Sequence, residues 1–246
     1  MTHSARRINH LLSALDHTTY LEIGVNEGQT FRLVEAGRKT GVDPHFLFPT
    51  ADLASDSVRF HEVPSDTYFA GLTLDQKFDV IFIDGLHVFE QVVRDFTNAL
   101  LHTHDRSVIL LDDTLPSDIF SSLPDVRESV SLRMRFNNLS QDWHGDVFKI
   151  VPMINDFFPG LEFRTITTDG NPQTVVWRKP GRSRAPIFNS LRRSPASASS
   201  TSAATSNRCA PARSRRLWHS ASATWPLIPD RPEAAIRSAT VPGDDQ

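Results

Sequence analysis

An α/β protein built on a doubly wound, mostly parallel sheet is what this sequence predicts, and three observations carry the prediction. Short apolar runs alternate with amphipathic helical stretches through residues 1–180. Two of those runs, Val80 to Ile83 and Val108 to Leu111, are apolar at every position. Acidic residues stand where such runs stop, at Asp43, Asp84, Asp112 and Asp113. A strand apolar on both faces belongs in the middle of a parallel sheet covered by helices on each side, and the carboxyl ends of such strands form the ligand crevice.

The elements follow in order. Ile8, Leu11, Leu12 and Leu15 recur at helical spacing and predict a short amphipathic helix before the first strand. Strands are expected over 20–24, 41–43, 58–63, 79–84 and 108–112, and helices over 29–38, 66–72 and 88–102. In the last of these helices Phe89, Val92, Val93 and Phe96 share one face, as packing against the sheet requires. Residues 116–143 read as a loop region and 146–157 as another amphipathic helix. Two late strands, 161–167 and 173–178, flank Asp169, Gly170, Asn171 and Pro172 and read as an antiparallel hairpin.

Beyond this the character of the chain changes. Residues 1–180 carry 16 basic against 25 acidic side chains, a net of −9, whereas residues 181–246 carry 10 against 4, a net of +6. The second part has 12 Ser and 12 Ala and keeps no period, which is the composition of a disordered basic tail following a folded domain of residues 1–180. The single cysteine, Cys209, rules out an intramolecular disulfide, and no Cys/His zinc spacing exists. The N-terminus has no apolar stretch of a signal peptide and no run is long enough to span a membrane, so a cytoplasmic protein is expected. The acidic folded part argues against a polyanionic nucleic-acid substrate, with the basic tail as the only counterweight. The oligomeric state is left open.

The chemistry is concentrated at the strand ends. The run from Tyr20 to Thr30 is a buried strand breaking into a Gly-rich turn, with Asp43 at the end of the next strand. Gly24 and Gly28 let backbone approach a ligand closely, and an acid in the position of Asp43 can accept both hydroxyls of a ribose. The spacing lacks the G-x-G-x-x-G that seats a pyrophosphate, so an adenine nucleoside without phosphates is favoured. Asp84, Asp112 and Asp113 then converge beside it. Like charges gathered in one crevice call for protons or a cation, and an all-oxygen set suits Mg²⁺. The bland alternative is that these aspartates merely cap helices.

The segments LEIGVNEGQT, GVDPHF, FDVIFIDGLHVFEQVVRDF, VILLDDTLP and WHGDVFK resemble the class I S-adenosylmethionine-dependent methyltransferases. Within that class they are most similar to the metal-dependent O-methyltransferases of macrolide-sugar and aminocoumarin biosynthesis, over roughly residues 8–180. The resemblance implies a Rossmann-like, seven-stranded sheet of order 3-2-1-4-5-7-6 that is mostly parallel and ends in an antiparallel hairpin. It places the methionine part of S-adenosylmethionine near Glu22 and Gly24, the ribose on Asp43 and the adenine near Ser65 and Asp66, with Asp84 at the reacting end. It also implies magnesium on Asp84, Asp112 and Asp113. Two departures stand out: His102 to Ser107 replace a Pro-Gly-Gly turn, and the pair reads Asp112-Asp113 where relatives often have His-Asp.

The expected activity is methyl transfer to a hydroxyl of a small molecule such as a sugar, polyol or natural product. A vicinal diol would suit the metal. Catalysis would rest on Asp84 and on His87, whose imidazole can accept a proton near neutrality or else hold Asp84 in place. His144 is a candidate for covering the acceptor and Trp143 for walling its pocket, while His102 and His104 read as surface turn residues. Two other readings remain. An NAD(P)-dependent oxidoreductase would need the missing phosphate-binding glycines, and a catalytically silent protein would keep the cofactor cleft alone.

Overall fold

The structure, a computed structural model, describes residues 1–15, 18–179 and 184–187. Its centre is a seven-stranded sheet: β1 (Thr19–Ile23), β2 (Arg38–Asp43), β3 (Val58–Glu62), β4 (Val80–Ile83), β5 (Val108–Leu111), β6 (Leu161–Ile166) and β7 (Gln173–Arg178). The spatial order is β3-β2-β1-β4-β5-β7-β6. β1 to β5 run parallel and β7 pairs antiparallel with both β5 and β6. The order reverses at β1, so the carboxyl ends of β1 and β4 open the crevice where ligands of such sheets bind.

The two faces of the sheet separate by the period of two expected of strands. Leu21, Ile23, Ile81, Ile83, Ile109, Leu111 and Val176 face one core, which is closed by helices α2 (Ser65–Ala70), α3 (Phe89–Leu101) and α5 (Ile150–Phe157). Tyr20, Val80, Phe82, Val108, Leu110, Val175 and Trp177 face the other. There helix α1 (His3–Ser13) inserts Ala5, Ile8, Leu11 and Leu12. Burying an Ile or Leu side chain of this kind is worth about 1.5–3 kcal/mol. Thr2 caps α1 by accepting the Ala5 N–H at 3.1 Å.

Three expectations are corrected. The helix predicted over 29–38 is only a single 3₁₀ turn, Phe31–Leu33. β2 already begins at Arg38, and Asn26 and Gly28 both hold positive φ, so the expected helix is bounded by a turn on one side and a strand on the other. An aromatic cluster fills the space instead: Phe31, Phe46, Phe48 and Phe60 meet with ring centroids 5.0–5.7 Å apart. The loop expected over 116–143 contains helix α4 (Val126–Arg135), started by Asp125 accepting the N–H groups of Arg127 and Glu128. His102 is buried rather than a surface turn residue. It stacks on Phe69 with its Nδ1 2.9 Å from the Gln76 carbonyl. Of the expected tail, residues 184–187 are described: Arg184 lies over the Phe163 ring and Ile187 N–H donates to Asp156. The rest of the tail lies outside the described residues. Among the described residues no helix is long and apolar enough to cross a membrane.

Candidate active site

Along the carboxyl rim of the sheet lies a cleft of about 710 Å³ lined by Glu22, Gly24, Asp43, Ser65, Asp84 and Asp95, among others. The strand order sets these groups in sequence along the rim, with Ser65 beyond β3, Asp43 on β2, Gly24 after β1, Asp84 after β4 and Asp113 after β5. The sequence reading named all of these except Asp95.

Gly24 is required, for a reason other than close approach to a ligand. At φ +86° a Cβ would lie 1.9 Å from the Asp84 carbonyl oxygen, so the glycine lets the ends of β1 and β4 touch. Gly28, at φ +74°, has the Phe48 ring where its Cβ would be. Asp43 works on the same turn. Its Oδ2 accepts the N–H groups of Val25 and Asn26 at 2.8 Å each, and its Oδ1 accepts the His45 N–H at 2.8 Å. A carboxylate has about four lone-pair sites. One is left for a ligand, enough for a single ribose hydroxyl rather than two.

Glu22 is buried on the cleft floor and accepts the Tyr20 hydroxyl at 2.5 Å. Burial pushes its carboxyl well above the usual range, against the Tyr20 hydrogen bond, and the neighbouring Asp84 and Asp43 add to the rise. Burial thus favours the neutral form of this carboxyl.

At the β3 end, Ser65 Oγ donates to Asp95 Oδ1 at 2.6 Å, and Gln91 Nε2 donates to the same oxygen at 3.0 Å. Asp66 does not join them; it is half exposed and pairs with Arg94 at 3.1 Å. Asp95 is the group that the sequence reading missed. Its signal was present: Asp95 sits beside Phe96, three residues beyond Val92, on the packed side of α3, where a lone carboxylate is out of place unless it has a task. Burial raises its pKa, opposed by the bonds from Ser65 and Gln91.

At the other end Asp84, His87 and Asp113 each bring a ligand-type atom within 4.8 Å of the others. His87 Nε2 lies 3.0 Å from Asp113 Oδ2 and 3.6 Å from Asp84 Oδ1, and its ring stacks on Trp143 at 5.1 Å between centroids. Burial alone would lower the His87 pKa, but Asp84, Asp113 and the Trp143 carbonyl outweigh it and hold the imidazole at about 9. Burial, aided by Asp113, lifts Asp84 to about 6 despite His87. Between these values the site holds an imidazolium among carboxylates.

Asp112 stands apart from this trio. Its Oδ1 accepts Asn171 Nδ2 at 2.6 Å and the Asp113 N–H at 2.8 Å, and its Oδ2 accepts Gln173 Nε2 at 3.0 Å. Burial and the charges of Asp84 and Asp113 push its pKa well above the usual range. The segment singled out as WHGDVFK wraps the same loop. Trp143 covers His87, a Cβ on Gly145 would lie 1.6 Å from the His87 carbonyl oxygen, and Asp146 accepts the Phe89 N–H at 2.6 Å at the start of α3. His144 is buried behind it with Nε2 3.0 Å from Asn171 Oδ1.

Residues 21–114 match a family model described as a methyltransferase domain. No curated protein matches the chain. Among solved structures, the O-methyltransferase from Bacillus cereus in complex with SAH is 18% identical, with 73% of this chain and 82% of that chain covered and a TM-score of 0.47. Cofactor-bound Rv0187 from MTB is 19% identical over 72% and 80%, with a TM-score of 0.49. TomG from Streptomyces achromogenes, an O-methyltransferase of tomaymycin synthesis in complex with SAM, is 18% identical over 70% and 78%, with a TM-score of 0.42.

Proposed function

We propose that the protein, whose residues 21–114 match a methyltransferase-domain model, transfers a methyl group from S-adenosylmethionine to a hydroxyl of a small sugar, polyol or natural product. We assign the activity to residues 1–180. The observation that carries the reading is the continuity of the nucleoside-sized cleft with the Asp84, His87 and Asp113 trio.

When bound, the sulfonium supplies an activated methyl group: the acceptor oxygen attacks it in line, and the carbon–sulfur bond breaks as the carbon–oxygen bond forms. Glu22 and the Gly24 turn take the methionine end, and Asp43 accepts one ribose hydroxyl. Ser65 and Asp95 face the base, with Asp66 turned away to Arg94. Orientation of this kind can supply about 7–11 kcal/mol of the barrier.

The donor set also fits a hard dication. Asp84 and Asp113 offer two carboxylate oxygens beside an imidazole, whereas Asp112 has its oxygens engaged by Asn171, Gln173 and the Asp113 N–H. Magnesium would therefore rest on Asp84 and Asp113, supplying charge neutralisation and a lowered pKa for a coordinated hydroxyl. His87, in its neutral form, accepts the hydroxyl proton at Nε2. Trp143, stacked on the ring, keeps that imidazole in place.

The test is methyl transfer from S-adenosylmethionine to a panel of vicinal diols with and without Mg²⁺. Replacing His87 with Ala should lower the rate about 10²–10⁴-fold, the worth of a general base. A His87→Ala protein as active as the wild type would remove the assigned base.

A further inference from the structure

The β6–β7 hairpin turn reaches into the acidic site from outside the cleft, through Asn171. Its Nδ2 donates to Asp112 Oδ1 and to Asp113 Oδ1, at 2.6 Å each, while its Oδ1 lies 3.0 Å from His144 Nε2. The amide has only one acceptable orientation here. Reversing it would put an acceptor oxygen between two carboxylates, so the nitrogen must face them and the oxygen must face the histidine. His144 Nε2 must then be the donor, which fixes the proton of a neutral imidazole on Nε2.

The turn carrying Asn171 is held by a buried arginine. Arg7 of α1 donates through Nη1 to the Asn171 carbonyl at 2.7 Å and to Gln173 Oε1 at 2.8 Å, and through Nη2 to the carbonyls of Thr168 at 2.6 Å and Asp169 at 3.0 Å. A planar guanidinium can serve four acceptors at once, which an ammonium of similar reach cannot. Gln173, so fixed, donates to Asp112 Oδ2 at 3.0 Å. Asp113 needs such support: it is buried and its backbone stands at φ +56°, a conformation that non-glycine residues adopt at a cost.

We propose that Asn171, braced by Arg7, is a positioning residue that ties down Asp113 Oδ1 and thereby leaves Oδ2 to face His87 and the reacting hydroxyl. The consequence for catalysis rests on the methyl-transfer reading above; the positioning itself does not. Among the described residues, Asn171 makes the one side-chain hydrogen bond to Asp113 Oδ1, with His144 Nε2 farther off at 3.9 Å, while His87 Nε2 meets Oδ2 at 3.0 Å.

The full-length protein with ¹⁵N-labelled histidine tests this by long-range ¹H–¹⁵N spectra of wild type, Asn171→Ala and the isosteric Asn171→Asp. The wild type should show His144 as the Nε2–H tautomer. In Asn171→Ala the two His144 tautomers should mix and the ring resonances of His87 should move, although Asn171 does not touch His87. Asn171→Asp, with an acceptor in place of the amide donor, should move them further. Calorimetric titration with Mg²⁺ should show affinity reduced about 10- to 100-fold in both variants, the usual effect of removing such a support. Wild-type His144 carrying its proton on Nδ1, or His87 resonances that coincide in wild type and both variants, would overturn the proposal. Wild-type protein that binds neither S-adenosylhomocysteine nor Mg²⁺ would count against the methyltransferase reading alone, because the histidine spectra decide the role of Asn171 without either ligand.

Discussion

Replacing Asp113 with asparagine removes the nearer of two negative charges around His87 and keeps the shape of the side chain. In the structure the imidazole Nε2 is 3.0 Å from Asp113 and 3.6 Å from Asp84. Burial pulls His87 down, yet the carboxylates and the Trp143 carbonyl hold it at about 9 rather than 6.5. At about 1.36 kcal/mol per unit, the net preference for the charged ring is of the order of 3 kcal/mol. Loss of one opposite charge at this range should lower the His87 pKa by about 1–3 units. The sign for stability follows from linkage. A histidine whose folded pKa is raised contributes stability that is complete below its unfolded value of 6.5 and is lost as pH rises through about 9. Asp113→Asn should flatten that decline. The assay is an NMR titration of the His87 ring in both proteins, free of divalent cations, with urea denaturation at the two ends of the window. The reasoning is refuted if wild-type His87 titrates near 6.5, or if the two titrations superimpose.

Other outcomes follow from the same geometry. Gly24→Ala should lower the unfolding free energy by about 2–5 kcal/mol, combining a left-handed backbone with the forced separation of β1 and β4; urea denaturation reads it, and an unchanged midpoint contradicts the steric account. Asp95→Asn should weaken binding of S-adenosylhomocysteine about tenfold, the loss of one hydrogen bond to a charged group, whereas Asp66→Ala should leave it unchanged; calorimetry giving the reverse order would return the adenine to Asp66. Without divalent cations, methyl transfer should rise with pH toward about 9, where His87 loses its proton, and a rate that falls across this range would exclude His87 as the base.

The strands and the rim were legible because their signals are local. The apolar runs of β4 and β5 and the acids that end them survive any tertiary context, and Asp84 and Asp113 do meet. The missing helix after β1 was not legible, because helical propensity over 29–38 yields to an early start of β2 and to phenylalanines distributed over thirty residues of chain. Helix α4 was hidden for the opposite reason. Its apolar Val126, Val130 and Met134 are exposed, so no buried stripe announced it. Within the site, the three aspartates could be read from strand ends, but not that Asn171 and Gln173 engage Asp112 while His87 joins the other two. Those partners come from a hairpin turn that the sequence shows only as turn chemistry. Asp95 was within reach, since a carboxylate among Val92, Phe96 and Ala99 breaks the apolar face of its helix.

The central claim is that this rim holds an adenosyl sulfonium beside a carboxylate pair able to grip a dication. Calorimetric titration of the full-length protein with S-adenosylhomocysteine, followed by Mg²⁺ on the resulting complex, tests both halves in one experiment. The account predicts saturable binding of the nucleoside, then saturable binding of Mg²⁺ that disappears in Asp84→Asn. No binding of S-adenosylhomocysteine, or Mg²⁺ binding indifferent to Asp84, would contradict it.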